Sequence, residues 1–242
     1  QKREHNDADQ LTRTTQRDTW FGGELNQWYY RDYEYNDNGC LVEEDVSRPS
    51  WNTNTEIEEY TVDYEWDYDN RLTKVQRQDT GIRKYLYDAS GARIARIAGV
   101  PPAAVTNYFV IDYVDGLKRP LAETDASGTV TRWYIWAGMR LLAHAEPDNQ
   151  QPTTINFTYY HADELGSTLA LTDETGAVTD EFAYLPHGQA THTAHAGSSE
   201  TPFRWLGGYG VYYDTDTDLH LTLHRAYSSS MKRFISADPL GI

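Results

Sequence analysis

Apolar and polar residues alternate along most of the chain, and tyrosine often holds the apolar position. The clearest stretch is 85–94, YLYDASGARI, in which two alternating tyrosines run into an Asp-x-x-Gly sequence and then into a second strand-like run. A period of two puts successive side chains on opposite faces of a strand. Aspartate can bond the backbone two residues on, and glycine accepts the positive φ of a tight turn. The unit therefore predicts one β-hairpin.

Similar units recur, which indicates internal repetition. Related sequences occupy 33–39, 64–72, 123–130 and 171–178. Helical periodicity is nearly absent. We therefore predict an all-β fold in which successive antiparallel hairpins form a curved, twisted sheet. Because the first and last strands of an open sheet expose unpaired backbone groups, such a strip either closes on itself or pairs its edges with another chain.

The pattern divides the chain into three segments. Residues 1–18 are polar with few apolar positions, and we expect this end to fray. Residues 19–156 carry the hairpin repeats, and residues 157–242 carry more specific motifs. Within the last segment, 187–202 is rich in Gly, Ser, Thr and Ala and predicts a long flexible loop.

Composition supports this picture. A chain of 242 residues can bury a packed core without disulfides, and its single cysteine, Cys40, cannot form an internal one. The 19 tyrosines suit a half-buried pleated surface, because each has a flat apolar ring and a polar tip.

The formal net charge of −16 argues against nucleic-acid binding and against docking on anionic membranes, because like charges repel. It fits either a solvated surface or a match to a basic partner or cargo. No apolar run approaches the length of a membrane span, and residues 1–20 lack the apolar stretch of a signal peptide. Export would therefore depend on sequence outside this chain.

Two stretches carry more specific motifs. The first is 160–168, YHADELGST; the second begins at 207–214, GGYGVYYD, and closes with 233–242, RFISADPLGI. Together with the cleanest repeat they closely resemble the Rhs repeat-associated core domain of YD-repeat proteins. The resemblance is weak over 1–60, fair over 60–136 and strong over 157–242. It rests on Tyr87, Asp88, Gly91, His161, Asp163, Leu165, Gly166, Ser167, Tyr213, Asp214, Arg225, Tyr227, Arg233, Phe234, Pro239 and Gly241.

That family includes bacterial polymorphic toxins, the C components of insecticidal toxin complexes, wall-associated proteins and the related shell of teneurins. The resemblance implies a β-strip that spirals into a hollow shell, which in toxin members encloses a variable C-terminal domain. The expected function is a structural or encapsulating module of a secreted or cell-surface protein, acting as part of a larger protein. Its expected partners are the remainder of a shell or another copy, met through strand edges, and a toxin cargo. No cofactor is expected.

The sequence departs from the family pattern in several ways. It is much shorter than family shells, and two turn positions that usually hold glycine are Asp218 and Lys232. Asp238 matches one aspartate of the catalytic pair with which many members cut themselves. Because aspartyl proteolysis needs two carboxylates that share a proton, and the match to the second is missing, Asp238 is half a site. A self-cleaving protease that releases a C-terminal toxin domain is therefore an alternative function, and we expect no complete catalytic machinery.

Three further groups of polar residues were weighed as sites. Asp214, Asp216 and Asp218 alternate as at the start of a calcium loop, yet the sixth and twelfth positions hold Leu219 and Arg225 instead of Gly and Glu, so we expect no metal site. The triad residue types Ser167, His161 and Asp163 lack a nucleophile-elbow sequence. His187, His192 and His195 are spaced for a metal but lie in the polar loop, without completing ligands.

The aromatic content supports one binding hypothesis. Exposed aromatic faces stack on sugar rings, so a carbohydrate-binding surface module is a second alternative function. The ordinary reading is that most of these rings belong to the core. The candidate residues are Trp28, Trp51, Trp66, Trp133 and Trp136.

Overall fold

The computed structural model describes residues 2–8, 10–18, 27–50, 55–78, 80–114, 116–148, 151 and 153–238, with the backbone alone for 16–18, 27 and 28. In these residues the secondary structure is twenty β-strands and one 3-10 turn, Gly207–Tyr209. The strands are β1 (Lys2–His5), β2 (Leu11–Asp18), β3 (Gln27–Tyr35), β4 (Leu41–Pro49), β5 (Glu56–Trp66), β6 (Leu72–Arg77), β7 (Gly81–Tyr87), β8 (Arg93–Ala98), β9 (Val105–Ile111), β10 (Pro120–Thr124), β11 (Val130–Ala137), β12 (Arg140–Pro147), β13 (Ile155–Ala162), β14 (Thr168–Thr172), β15 (Val178–Tyr184), β16 (Ala190–Ala194), β17 (Tyr212–Asp214), β18 (Leu219–Leu221), β19 (Ala226–Ser228) and β20 (Arg233–Phe234).

Strand pairing follows the order of the chain. Strands β1 to β16 form one antiparallel sheet in which each strand pairs with its sequence neighbours, and β17 to β20 form a second antiparallel sheet of four strands. Within the described residues, β1 pairs only with β2 and β16 only with β15, so the larger sheet is open. The predicted all-β fold of successive hairpins is confirmed. No helix in this part of the chain is long and apolar enough to cross a membrane.

Seven turns of the larger sheet share one geometry. In each of the seven, the first side chain accepts the backbone N–H groups two and four residues on, at 2.8–3.0 Å. The residue three positions later has a positive φ in the six turns where it is described, from 58° at Asn70 to 84° at Gly91. This is the predicted combination of an acid or amide cap with a left-handed residue. The capping residues are Asn6, Asn36, Asp67, Asp88, Asp125, Asp163 and Asp173.

A buried ring stands three residues before several of these turns. Tyr33, Tyr64 and Tyr85 occupy this position and are 6%, 7% and 1% exposed, whereas Leu86, on the opposite face of its strand, is 44% exposed. The three hydroxyl groups reach polar partners inside the protein, as buried tyrosines require. The predicted face of hidden rings is therefore present.

The chain divides into two compact units, 1–84 with 235–242 and 85–234. In the first unit, Leu11, Cys40 and Leu41 are buried, and the Leu41 amide donates to the Ile235 carbonyl at 2.8 Å. In the second unit, Tyr85, Leu171 and Phe203 are among the fully buried side chains. These units do not follow the three segments drawn from the sequence, whose limits stay a prediction.

Two polar stretches form strands that their composition did not indicate. Residues 2–5 and 11–18 form β1 and β2, with Leu11 and Thr14 buried, and the fraying expected at this end stays a prediction. The flexible loop predicted over 187–202 is wrong for its centre, because residues 190–194 form β16. Both stretches are held by backbone ladder bonds with a neighbouring strand, which do not depend on an apolar pattern.

Candidate functional site

The two motif stretches that carry the family resemblance lie against each other in the second unit. The amide of Gly208 donates to the Gly166 carbonyl at 2.8 Å, and the Leu206 amide donates to Ser167 Oγ at 3.1 Å. A Cβ atom on Gly166 would meet the Gly208 backbone at 3.4 Å, and its φ of +76° is one that other residues rarely adopt. The φ of Gly166 therefore favours glycine, and close approach favours glycine at 208, where a Cβ atom would meet the Met139 carbonyl oxygen at 3.0 Å and the Gly166 Cα at 3.2 Å.

Asp214 is the centre of the second motif. Its carboxylate is buried and accepts a bidentate pair from Arg96, Nε to Oδ2 at 2.6 Å and Nη2 to Oδ1 at 2.9 Å. The Tyr85 hydroxyl donates to Oδ2 at 2.8 Å. Burial, and then the nearby Asp214 charge, raises the pKa of Tyr85 well above its ordinary value. The site thus fixes β17 against β7 and β8.

This arrangement bears on the three aspartates considered for calcium. Asp214 already accepts from Arg96, Tyr85 and the Asp216 amide. Asp216 pairs with the Arg96 guanidinium, and Asp218 accepts from the Tyr213 hydroxyl at 2.7 Å. Among the described residues, no three His, Cys, Asp or Glu side chains are grouped to hold a metal ion. These carboxylates act as acceptors for the protein's own donors.

Three further motif residues contact one another at the small C-terminal sheet. The Tyr227 and Phe234 rings meet edge to face, with centroids 5.4 Å apart, and the Arg225 guanidinium lies 3.6 Å from the Phe234 centroid. Asp218 and Lys232, which stand where the family usually has glycine, have φ of 55° and 63°. The left-handed backbone implied by that glycine is thus present with a side chain attached, a conformation that costs free energy.

Asp238, the predicted half-site, is partly exposed at the end of the described chain. It follows Ile235, whose carbonyl binds the Leu41 amide. Pro239 and Gly241 of the same motif lie outside the described residues. The catalytic role of Asp238 stays a prediction.

The histidines and serine weighed as sites do not converge. The amide of Leu206 donates to buried Ser167, the Nε2 atom of His161 bonds Thr172 at 3.0 Å, and Asp163 caps its own turn. No triad is formed by these three. His192 bonds Asp180 at 2.7 Å and His195 bonds Glu181 at 2.9 Å, so each is paired with a carboxylate of β15.

Sequence reasoning missed a buried polar network on β12 and β13. His144 is fully buried; its Nδ1 lies 2.8 Å from the Tyr160 hydroxyl and its Nε2 lies 3.0 Å from Ser199 Oγ. The Tyr160 hydroxyl also bonds Thr201 at 2.6 Å. Burial, and then the charge of Arg132, lowers the pKa of His144 to about 3. The network ties residues 199–201 to the sheet with a neutral histidine at its centre.

A second buried histidine lies in the small C-terminal sheet. His220 is 2% exposed, and its ring is 5.2 Å from that of Trp205 and 4.9 Å from that of Tyr213, centroid to centroid. Burial lowers its pKa to about 4. This histidine is therefore also neutral at physiological pH.

A polar cavity of about 480 Å³ lies between strands β8 to β12 and the segment 200–216. Five carboxylates and two arginines contribute to its wall, together with hydroxyl, amide and aromatic groups. Its lining is Arg96, Asn107, Glu123, Thr131, Arg132, Glu146, Glu200, Thr201, Pro202, Tyr212, Tyr213, Asp214, Thr215 and Asp216.

The tryptophans considered for sugar binding have mixed surroundings. The indole N–H of Trp66 donates to the Leu41 carbonyl at 2.6 Å, and that of Trp136 donates to the Pro120 carbonyl at 2.9 Å. Both rings are partly buried, which fits a structural role. Trp51 and the side chain of Trp28 lie outside the described residues, and Trp133 is half-buried on β11.

Comparison with known proteins connects this architecture to toxins. No protein-family model matches the chain. The tRNA3(Ser)-specific nuclease WapA of Bacillus spizizenii is 29% identical over 180 residues, covering 73% of this chain and 7% of the relative. Double-stranded DNA deaminase toxin A of Burkholderia cenocepacia is 26% identical over 241 residues, covering 91% of this chain and 16% of the relative. The chain thus spans only a small part of these relatives.

Solved structures show the same fold. A TcdB2–TccC3 structure without the hypervariable C-terminal region matches 98% of this chain and 14% of its own, with a TM-score of 0.56 and 16% identity. A Photorhabdus luminescens Tc holotoxin pore with a substitution in TccC3 matches the same shares, with a TM-score of 0.55 and 16% identity. The chain is therefore similar in fold to part of a toxin complex and in sequence to part of two toxins.

Proposed function

We propose that this chain is a structural module, a segment of wall in a β-casing of the Rhs or YD-repeat type that belongs to a toxin-associated protein. The observation that carries the proposal is the ladder of sixteen strands in sequence order, which repeats one capped turn in seven of its hairpins and, within the described residues, is open at both edges. An open sheet of this kind extends by adding strands to its edges. The module acts as part of a larger secreted or cell-surface protein and helps to enclose its cargo.

The curated relatives support a structural role for the matched segment. Their names describe different activities, a tRNA nuclease and a double-stranded DNA deaminase. A segment shared by proteins with different activities fits a common scaffold better than a common catalyst. The small share of each relative that the chain covers leaves room for their activities elsewhere.

The ladder between β15 and β16 identifies the backbone N–H groups of β16 that can pair with another strand. The amide of Leu185 donates to the Gln189 carbonyl, and the amide of His195 donates to the Thr179 carbonyl. Because hydrogen-bonded pairs alternate along an antiparallel ladder, Thr191 and Thr193 also face β15. The N–H groups of Ala190, His192 and Ala194 then point away from the sheet, where another strand can accept them.

Sedimentation velocity over a wide concentration range tests the proposal. We expect the wild-type chain to associate as concentration rises, and Ala194→Pro to associate less, because proline removes an outward donor without breaking the ladder to β15. Ala194→Val is the matched control, since it changes the side chain and keeps the N–H. A chain that stays monomeric throughout, or a proline variant that associates as well as the valine variant, would contradict edge pairing.

A further inference from the structure

The polar cavity of the second unit contains more negative charge than its own cations neutralise. Arg96 is committed to Asp214 and Asp216. Arg132 donates from Nε to Glu146 at 2.6 Å. Both arginines of the wall are therefore already paired within the protein.

Glu123 is a buried carboxylate of the cavity wall that neither arginine bonds. It is 6% exposed and lines the cavity. Its Oε1 accepts from the Tyr134 hydroxyl at 2.5 Å, and the Asn107 amide lies 3.4 Å from its Oε2. Arg132 stands opposite Glu123 in the ladder between β10 and β11, but its guanidinium is bonded to Glu146. Among the described residues, no basic nitrogen lies within ion-pair distance of Glu123.

A buried carboxylate without a paired cation is costly. Burial, and then the neighbouring Glu123 carboxylate, raises the pKa of Tyr134 well above its ordinary value, so the Tyr134 hydroxyl keeps its proton and donates it to Glu123. Neutral donors satisfy hydrogen bonds of Glu123, and the Arg132 guanidinium that attracts it is bonded to Glu146. With five carboxylates and two arginines, the wall carries an excess of negative charge, part of it on the nearly buried Glu123.

Glu200 adds a second negative charge to the same cavity. It is exposed and belongs to the cavity wall, and within the part of the chain that the structure describes no ion pair involves it. A cation that enters from solvent would approach Glu200 first and Glu123 deeper in the cavity. The two carboxylates differ in burial, so they should contribute unequally to binding.

We propose that this cavity binds an organic cation with N–H donors, a guanidinium or ammonium group. Such a group supplies both positive charge and hydrogen-bond donors for carboxylates. A volume of about 480 Å³ falls within the range of small-ligand sites and accommodates more than one side chain. The source is either a basic side chain of a polypeptide or a free polyamine. This site does not depend on the casing role.

Isothermal titration calorimetry on the full chain tests the proposal with three probes. N-acetyl-arginine methylamide represents a polypeptide side chain and spermidine represents a free polyamine. N-acetyl-citrulline methylamide has nearly the shape of the arginine probe without its charge. We expect saturable binding of at least one cation, weakened by salt, and no saturable binding of the citrulline probe. The cation that binds more tightly identifies the source.

Three variants locate the site. Glu123→Gln keeps an oxygen that can accept from Tyr134, and we expect it to weaken binding about tenfold. Glu200→Gln, at an exposed position where folding is not at risk, should weaken binding by a smaller factor. Glu174→Gln, in an exposed turn outside the cavity, should bind as the wild type does. The proposal is overturned if neither cation binds saturably, if citrulline binds as well as arginine, or if both cavity variants bind like Glu174→Gln.

Discussion

Arg96 and Asp214 form a bidentate ion pair across 118 positions of sequence, joining the hairpin sheet to the first strand of the small C-terminal sheet. Tyr85 donates to the same carboxylate. A repeat residue, a charged residue of the next strand and a residue of the C-terminal motif thus meet at one buried point. The C-terminal motif is therefore fixed to the repeats by charge as well as by apolar packing.

Removing the arginine should be severely destabilising. Arg96→Met leaves Asp214 buried without its cation, and breaking a buried pair from one side costs about 3–5 kcal/mol. Urea unfolding of wild type and variant measures the difference. Lys84→Met, at an exposed position of the preceding strand, is the control and should change stability little. Equal effects of the two substitutions would show that the ion pair is not a principal contact.

In the turns that an aspartate caps, that aspartate should stabilise the protein through its acceptor oxygen rather than through its charge. Asp163 Oδ1 accepts the amides of Leu165 and Ser167 at 2.9 and 2.8 Å. We expect Asp163→Ala to lower stability by about 1–2 kcal/mol, because both donors lose their acceptor. Asp163→Asn retains an acceptor oxygen and should lose much less. If the asparagine variant is as unstable as the alanine variant, the capping explanation is wrong.

Lys232 offers a stabilising substitution. Its φ of 63° lies in the left-handed region, and its side chain is exposed. Lys232→Gly should raise stability by about 1 kcal/mol, because glycine adopts this conformation without the Cβ penalty. Lys232→Ala removes the same lysine but keeps Cβ and should bring no gain. Thermal or urea unfolding of both variants separates backbone strain from loss of the side chain.

Acid should destabilise the protein through its buried histidines. Burial lowers the pKa of His220 from 6.5 to about 4. Below pH 6.5 the unfolded chain takes up a proton at this position while the folded chain does not, so stability falls with pH until about pH 4. The slope is at most about 1.4 kcal/mol per pH unit for one histidine. Above pH 6.5 this group contributes no pH dependence.

His220→Phe isolates this contribution. The ring surrounded by Trp205 and Tyr213 then carries no titrating group, and urea unfolding between pH 4 and pH 6.5 should show a shallower loss of stability than the wild type. His161→Phe, on an exposed histidine, should keep the wild-type slope. A His220→Phe slope equal to the wild-type slope would rule out His220 as a source of acid sensitivity.

Local features of the fold were readable from the sequence. The buried ring of Tyr85, the cap of Asp88 and the positive φ of Gly91 follow from alternation and turn chemistry within ten residues. The resemblance also marked Asp218 and Lys232 as turn positions that usually hold glycine, and both have a positive φ. The pair of Arg96 with Asp214 was not predictable, because nothing local relates residues so far apart. The polar cavity left a weak signal in the sequence. Arg132 lies two residues before Tyr134, on the strand face where an apolar residue is expected.

Edge strands were the other limit of sequence reasoning. Residues 190–194 are exposed on both faces, so they lack the alternation by which a strand is recognised. Backbone pairing with β15 and the bond of His192 to Asp180 hold them in place. Burial raises the pKa of Asp180, but hydrogen bonds from Ser198 and His192 outweigh this effect and keep that pKa below its usual range. Such tertiary contacts appear only once the sheet is assembled.

Amide hydrogen exchange on β16, measured by NMR at low and high protein concentration, tests the casing proposal most directly. Thr191 and Thr193 face β15 and should be protected at both concentrations. Ala190, His192 and Ala194 should exchange fast in dilute protein and become protected as the chain associates, because a second strand accepts their N–H groups. Association without new protection at these three amides, or no association at all, would contradict a wall that grows through its edges.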